Sequence, residues 1–234
     1  PWYRQLCKRP CFHDEYLQSY NNPNVTLVDT DGKGVERIDE TGVWVNGVHY
    51  ELDCLIFATG FEVGTEYARR SGFETVGRDG ITLSKRWADG IKTLHGIHVY
   101  GLPNAFIVGF SQGGNLVSNI THNLVDAGTT IATIIAHAIE IGADEVETTE
   151  DAERDWVDMC SGGGAGGGVL GKVFGNLLGD CTPGYYNNEG KPLEGTGFIA
   201  GGHPGGPVGF FSHIDAWRRS GEFKGLEFRT NSSG

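Results

Sequence analysis

The stretch that most constrains this chain is Asp53 to Val63, DCLIFATGFEV. Its centre, Cys54 to Thr59, is a continuous apolar run with no polar alternation. Such a run predicts a strand buried on both faces, as in a parallel sheet covered by helices on either side. Gly60 ends it. A glycine there serves either as a simple turn or as a point where backbone passes close to a ligand.

The segments around this run alternate between strand and helix patterns. Asn24 to Asp29, NVTLVD, predicts a short β-branched strand. From Glu36 to Glu51 a meander is expected, with Asn46-Gly47 as a hairpin turn between Val43-Trp44-Val45 and Val48 to Leu52. Glu66 to Ser71 predicts a short helix, and Asn104 to Gly109 a further buried strand. The glycine-rich Phe110 to Asn115 then leads into a long helix. Leu116, Ile120, Leu124, Ile131, Ile134, Ile135, Ala138 and Ile141 keep three- and four-residue spacing, and Gly142 fits its C-cap. A second helix should follow Thr148-Thr149, opening on Glu150-Asp151 and running to about Cys160. SGGGAGGG, from Ser161 to Gly168, reads as a mobile low-complexity loop. A last helix is expected from Phe210 to Gly221. No internal repeat is present.

Two places carry candidate chemistry. Lys8 and Arg9 precede Pro10, which biases them towards extended backbone. They are either a solvated basic pair or an anion site, since adjacent cations suit phosphate recognition. The strand, glycine loop and helix N-terminus around residues 104–120 form either a site for a negative or electron-rich group or a plain chain reversal. His95 and His98 have a spacing that suggests a metal, but no Cys, Asp or Glu cluster accompanies them, so no metal site is expected.

Composition narrows the classes. The net charge of −12 over 234 residues argues against a nucleic-acid or anionic-membrane surface. No apolar run approaches the roughly 18 residues needed to cross a bilayer. The five cysteines, Cys7, Cys11, Cys54, Cys160 and Cys181, form no CxxC pair. They read as reduced thiols of a cytoplasmic protein. The first residue is Pro1, so a targeting segment cannot be judged from this chain.

Five stretches in this order resemble the C-terminal part of Baeyer–Villiger monooxygenases: CKRPCFHDEYLQSYNNPNVTLVD, YELDCLIFATGFEV, the segment from Trp87 to Pro103, NAFIVGFSQGGNLVSN and TPGYYNNEGKP. ATGF alone is shared by many flavoproteins with two dinucleotide-binding domains. KRP before it and LVSN after it are more specific. The resemblance covers nearly the whole chain and implies an α/β fold, the C-terminal part of a two-dinucleotide-binding-domain (Rossmann-like) flavoprotein. Residues 1–52 would then end the NADP-binding domain, and residues 53–234 would return to the FAD-binding domain.

The resemblance also implies FAD and NADPH as cofactors, with a ketone and O2 as substrates. NADPH reduces the flavin, O2 adds to give a peroxyflavin, and the ketone becomes an ester or lactone. Arg9 would hold the peroxide's negative charge with a guanidinium that stays charged at working pH. Lys8 would contact the 2′-phosphate of NADP, and Gly60 would let the backbone pass close to FAD. Ile120 would lie beside the flavin and the substrate pocket. Tyr185 stands where many members place a tryptophan that touches NADP. The Tyr185-Tyr186-Asn187-Asn188 turn is most similar to members acting on larger ketones.

No GxGxxG fingerprint opens a βαβ unit here, and the FxGxxxHxxxWP signature is absent; both belong upstream in such proteins. The chain is therefore expected to be inactive alone and to need the missing N-terminal half as partner. Flavin N- or S-oxidation, or a non-catalytic remnant serving as an interaction domain, are the alternatives.

Overall fold

A computed structural model describes residues 7–8, 11–61, 66–109, 111–114, 119–163, 181, 184 and 201–230. The chain divides into two compact units. One is Arg9–Phe61; the other joins Pro1–Lys8 to Glu62–Gly234.

In the unit Arg9–Phe61, a short helix α1 (Tyr16–Ser19) precedes an antiparallel meander of β1 (Arg37–Asp39), β2 (Gly42–Val45) and β3 (Val48–Glu51). The expected hairpin is present. Val45 pairs with Val48 across Asn46 (φ 51°) and Gly47 (φ 76°), the two positive φ angles of a type I′ turn. Asp39 accepts from Thr41 N at 3.0 Å, Gly42 N at 3.1 Å and Trp44 Nε1 at 2.7 Å. These donors, the Trp44 indole first, hold its carboxyl far below the usual carboxylate range.

Two expected strands of this unit are absent. Asn24 to Asp29 forms no ladder, although the Asn46 side chain ties it to the hairpin by donating to Asp29 O at 3.1 Å. The run Cys54 to Thr59 is likewise unpaired and exposed: Ile56 is 82% and Phe57 71% accessible. A doubly buried strand exists only when other strands flank it and other layers cover it. No described residue supplies either.

The larger unit holds α2 (Tyr67–Ser71), the turn Arg78–Gly80, α3 (Leu83–Arg86), α4 (Ile120–Ile141), β4 (Glu145–Thr148), α5 (Glu150–Gly163), α6 (Gly206–Ser220) and β5 (Leu226–Arg229). The caps of α4 and α5 are those the sequence predicts. Gly142 takes φ 70° and its N–H reaches back to Ala138 O, closing α4. Thr149 Oγ1 accepts from Ala152 N at 3.2 Å, opening α5 with Glu150, Asp151 and Glu153 in its first turn. From Gly164 onward the low-complexity run lies outside the described residues.

β4 and β5 pair antiparallel, with Val146 opposite Phe228. The sequence reading had no strand at either place. Each is only four residues long, and their partners lie about eighty residues apart in the chain. Asn104 to Gly109, expected as a strand, is irregular. Asn104 spends its side chain and its N–H on the β4 region instead, with Oδ1 accepting from Val146 N at 2.9 Å.

The core lies among α4, α5, α6 and the segment 83–102. Ile134 of α4 meets Val146, Trp217 and Phe223. Leu94 meets Trp156, Cys160, Phe210 and Ile214. Arg218 of α6 donates to Asp126 Oδ1 at 2.8 Å and Thr130 Oγ1 at 2.9 Å, tying α6 to α4. Contrary to the sequence reading, α4 is long and apolar enough to cross a bilayer by length and composition. Its Asp126 is instead engaged with Arg218 in this packing.

The cysteines also differ from expectation. Cys7 and Cys181 form a disulfide with their Cα atoms 5.3 Å apart, inside the range a bridge requires. They are separated by 174 residues, so only tertiary structure brings them together. Cys160 remains a thiol, and burial pushes its pKa up to about 12, which leaves it inert.

Candidate active site

The loop Ser111 to Gly114 is anchored by its own glutamine. Gln112 has φ 58° and is 1% accessible. Its Oε1 accepts from Thr93 N at 2.9 Å and from Thr93 Oγ1 at 2.6 Å. Nε2 donates to Ile91 O at 2.7 Å, and the Gln112 carbonyl accepts from Trp156 Nε1 at 3.0 Å. All of these polar groups would otherwise be buried without water, so the loop has one low-energy position. Gly96 (φ 75°) lets the loop approach: a Cβ there would lie 2.7 Å from Ser111 O. Gly113 and Gly114 lie against the Phe210 and Phe211 rings.

Beyond the loop, Asn119 caps α4. Its side chain accepts from Thr121 N at 2.9 Å and also from the Thr121 hydroxyl. Ile120 is thus the first helical residue, and it is half-buried. Leu116, expected within this helix, lies outside the described residues. The His122 ring sits edge-on to Phe211 with centroids 4.5 Å apart.

Histidines back this loop. His95 is wedged edge-on between Trp156 and Trp217, with centroids at 4.6 and 4.9 Å, and its Nε2 is 3.3 Å from His213 Nε2. His98 is buried against Phe106. Burial, reinforced by the neighbouring histidines, holds His95 well below its ordinary pKa; burial alone takes His98 to about 4. Both are neutral core residues at physiological pH.

Of the remaining candidate positions, Lys8 is half-buried beside the Cys7 bridge. Gly60 has φ 89°, and nothing lies within 4 Å of where a Cβ would be. That is open space beside backbone that side-chain-bearing residues rarely adopt. Arg9 and Tyr185 lie outside the described residues. The structure therefore places Ile120 at the start of α4, while Gly60 belongs to the other unit. Sequence reasoning missed Gln112. Its signal was a polar residue between apolar Phe110 and the two glycines.

No protein-family model matches the chain. Comparison with known proteins nevertheless finds relatives along almost all of it. It is 44% identical over 227 residues to the FAD-binding monooxygenase hmp7 of Hypomyces subiculosus, covering 97% of this chain and 36% of that protein. To Baeyer–Villiger monooxygenase ATR8 of Stachybotrys chlorohalonatus it is 42% identical over 226 residues, covering 97% and 35%. Among solved structures, the polycyclic ketone monooxygenase of Thermothelomyces thermophila superposes with a TM-score of 0.81 at 33% identity, covering 98% of this chain and 36% of that one. An oxidised steroid monooxygenase bound to NADP gives 0.70 at 28% identity, covering 96% and 39%. The chain thus spans little more than a third of the length of the proteins it matches.

The likeness to these structures shows the fold: the C-terminal part of an α/β flavoprotein with two dinucleotide-binding domains. More narrowly, the chain matches, along 97% of its own length, proteins named FAD-binding and Baeyer–Villiger monooxygenases.

Proposed function

We propose that the protein to which this chain belongs uses NADPH and O2 to convert a ketone to an ester or lactone on FAD. The observation that carries this reading is the identity above 40%, over 97% of the chain, to proteins named FAD-binding and Baeyer–Villiger monooxygenases. A bulky cyclic ketone is the substrate class, supported by the likeness to a polycyclic ketone monooxygenase.

The cofactor would supply oxygen activation once reduced, and the residues of this chain would arrange the surroundings. The open, positive-φ backbone at Gly60 is of the kind that admits a flat ring or pyrophosphate at close range. The Gln112 anchor would fix the loop that leads to Ile120, making Ile120 a wall of the flavin and ketone pocket. Arg9 would hold negative charge at the reacting oxygen, with no proton to give up. Lys8 would pair with the 2′-phosphate of NADP, and Tyr185 would touch the same cofactor. Residues 1–52 would complete the NADP-binding domain, and residues 53–234 the FAD-binding domain. Most adenine and pyrophosphate contacts would come from the N-terminal half, so the chain alone would bind neither cofactor tightly and would not turn over.

Product analysis tests this reading. The full-length protein should convert a polycyclic ketone to an ester or lactone carrying one atom of labelled O2, with NADPH consumed in proportion. Hydroxylamines, N-oxides or sulfoxides formed in place of esters would favour the N- or S-oxidising alternative. No NADPH oxidation with any of these substrate classes would favour a non-catalytic interaction domain.

A further inference from the structure

The Cys7–Cys181 bridge sits at a particular place in the chain. Pro1–Lys8 belongs to the larger unit, and the chain passes into the other unit between Lys8 and Arg9. Cys7 is 3% accessible, one residue before the basic pair and two before the crossing. Cys181, its partner from 174 residues away, is half-buried. A covalent bond therefore ties Cys7, and with it the neighbouring Lys8, to Cys181 within the larger unit.

We propose that this disulfide is a positioning cross-link that fixes Lys8, and that its reduction loosens this residue. The consequence for catalysis rests on the function proposed above; the consequence for the backbone does not. A segment held by one covalent bond loses most of its conformational freedom, whereas one held by side-chain packing alone opens locally at modest cost. Lys8 would then be offered to an anionic ligand already in place, without the ordering cost a free side chain and backbone incur on binding.

The redox step is an ordinary thiol–disulfide exchange. A thiolate of a dithiol reductant attacks Cys181 Sγ, the more accessible sulfur, and Cys7 leaves as a thiolate that takes up a proton. The reductant's second thiol then displaces Cys181 from the mixed disulfide and closes to a cyclic disulfide. Two electrons and two protons pass from the reductant to the protein. Glutathione disulfide reverses the change and is released as two glutathione thiols.

The test uses the full-length holoenzyme. Trypsin cleaves after Lys8 but not after Arg9, which precedes proline, so cleavage after Lys8 reports how freely this segment moves. We expect a peptide containing both Cys7 and Cys181 in the non-reduced digest. We expect dithiothreitol to speed cleavage after Lys8 by about tenfold while cleavage after Lys33 is unchanged. Cys181→Ser should cleave at the fast rate with or without reductant. Under turnover, reduction should raise the KM for NADPH more than it changes kcat. Absence of the linked peptide would overturn the proposal, as would equal cleavage rates after Lys8 in the oxidised and reduced protein. A protein that fails to oxidise NADPH but shows the redox-dependent cleavage would refute the assigned function and keep the cross-link.

Discussion

The side-chain oxygen of Gln112 accepts two hydrogen bonds from Thr93, one from its amide at 2.9 Å and one from its hydroxyl at 2.6 Å. The bonds join the glycine loop to a segment nineteen residues earlier, and all the groups involved are buried. Replacing Gln112 with alanine would leave the Thr93 N–H and the Ile91 carbonyl without partners. The expected loss of stability is about 2–4 kcal/mol, from unsatisfied buried groups together with a cavity. Urea denaturation of the full-length protein checks it. The same variant should purify with less bound flavin, because Ile120 follows this loop.

Acid should weaken the larger unit before it protonates most carboxylates. His95 and His98 are held below the ordinary histidine pKa of 6.5 by burial, His98 at about 4. Between pH 4 and 6.5 the unfolded chain therefore binds more protons than the folded one. Stability is full above pH 6.5 and falls as the pH drops through this window, by about 1.4 kcal/mol per pH unit for each such histidine. Thermal melts from pH 7.5 to 4.5 measure it. His98→Phe, which keeps the ring packing against Phe106, should flatten the slope.

Lys8 is the residue proposed to set the coenzyme preference. Lys8→Ala should raise the KM for NADPH by about tenfold, the cost of losing one charge-assisted phosphate contact, and leave the KM for NADH almost unchanged. Steady-state kinetics with both coenzymes decide the matter. An undiminished preference for NADPH would remove Lys8 from the phosphate site.

Local signals were legible in the sequence. The Asn46-Gly47 turn, the Gly142 cap and the Thr149 start of α5 each depend on chemistry within a few residues, and each is present. What was not legible depends on distant partners. Cys54 to Thr59 has the composition of an interior strand, but pairing requires neighbours that composition cannot provide. β4 and β5 are four-residue strands whose alternation is too brief to stand out; they pair across about eighty residues, where Arg229 and Arg78 also share Glu145 and the buried Glu147. The Cys7–Cys181 bridge spans most of the chain and overturned the expectation of reduced thiols for these two residues. Of the candidate residues, Ile120 and Gly60 stand at boundaries legible in the sequence, the start of α4 and the positive-φ glycine after residues 54–59. The role of Gln112 could not, because it lies in the hydrogen bonds the side chain makes back to residues 91 and 93.

On the proposed function, Arg9 supplies the positive charge on which oxygen transfer to the ketone depends. Rapid-mixing kinetics of Arg9→Ala in the full-length protein test it most directly. NADPH should still reduce the flavin, while ester or lactone formation falls by about a hundredfold or more and the reducing equivalents appear as hydrogen peroxide. Ester or lactone formation at the unaltered rate would contradict it.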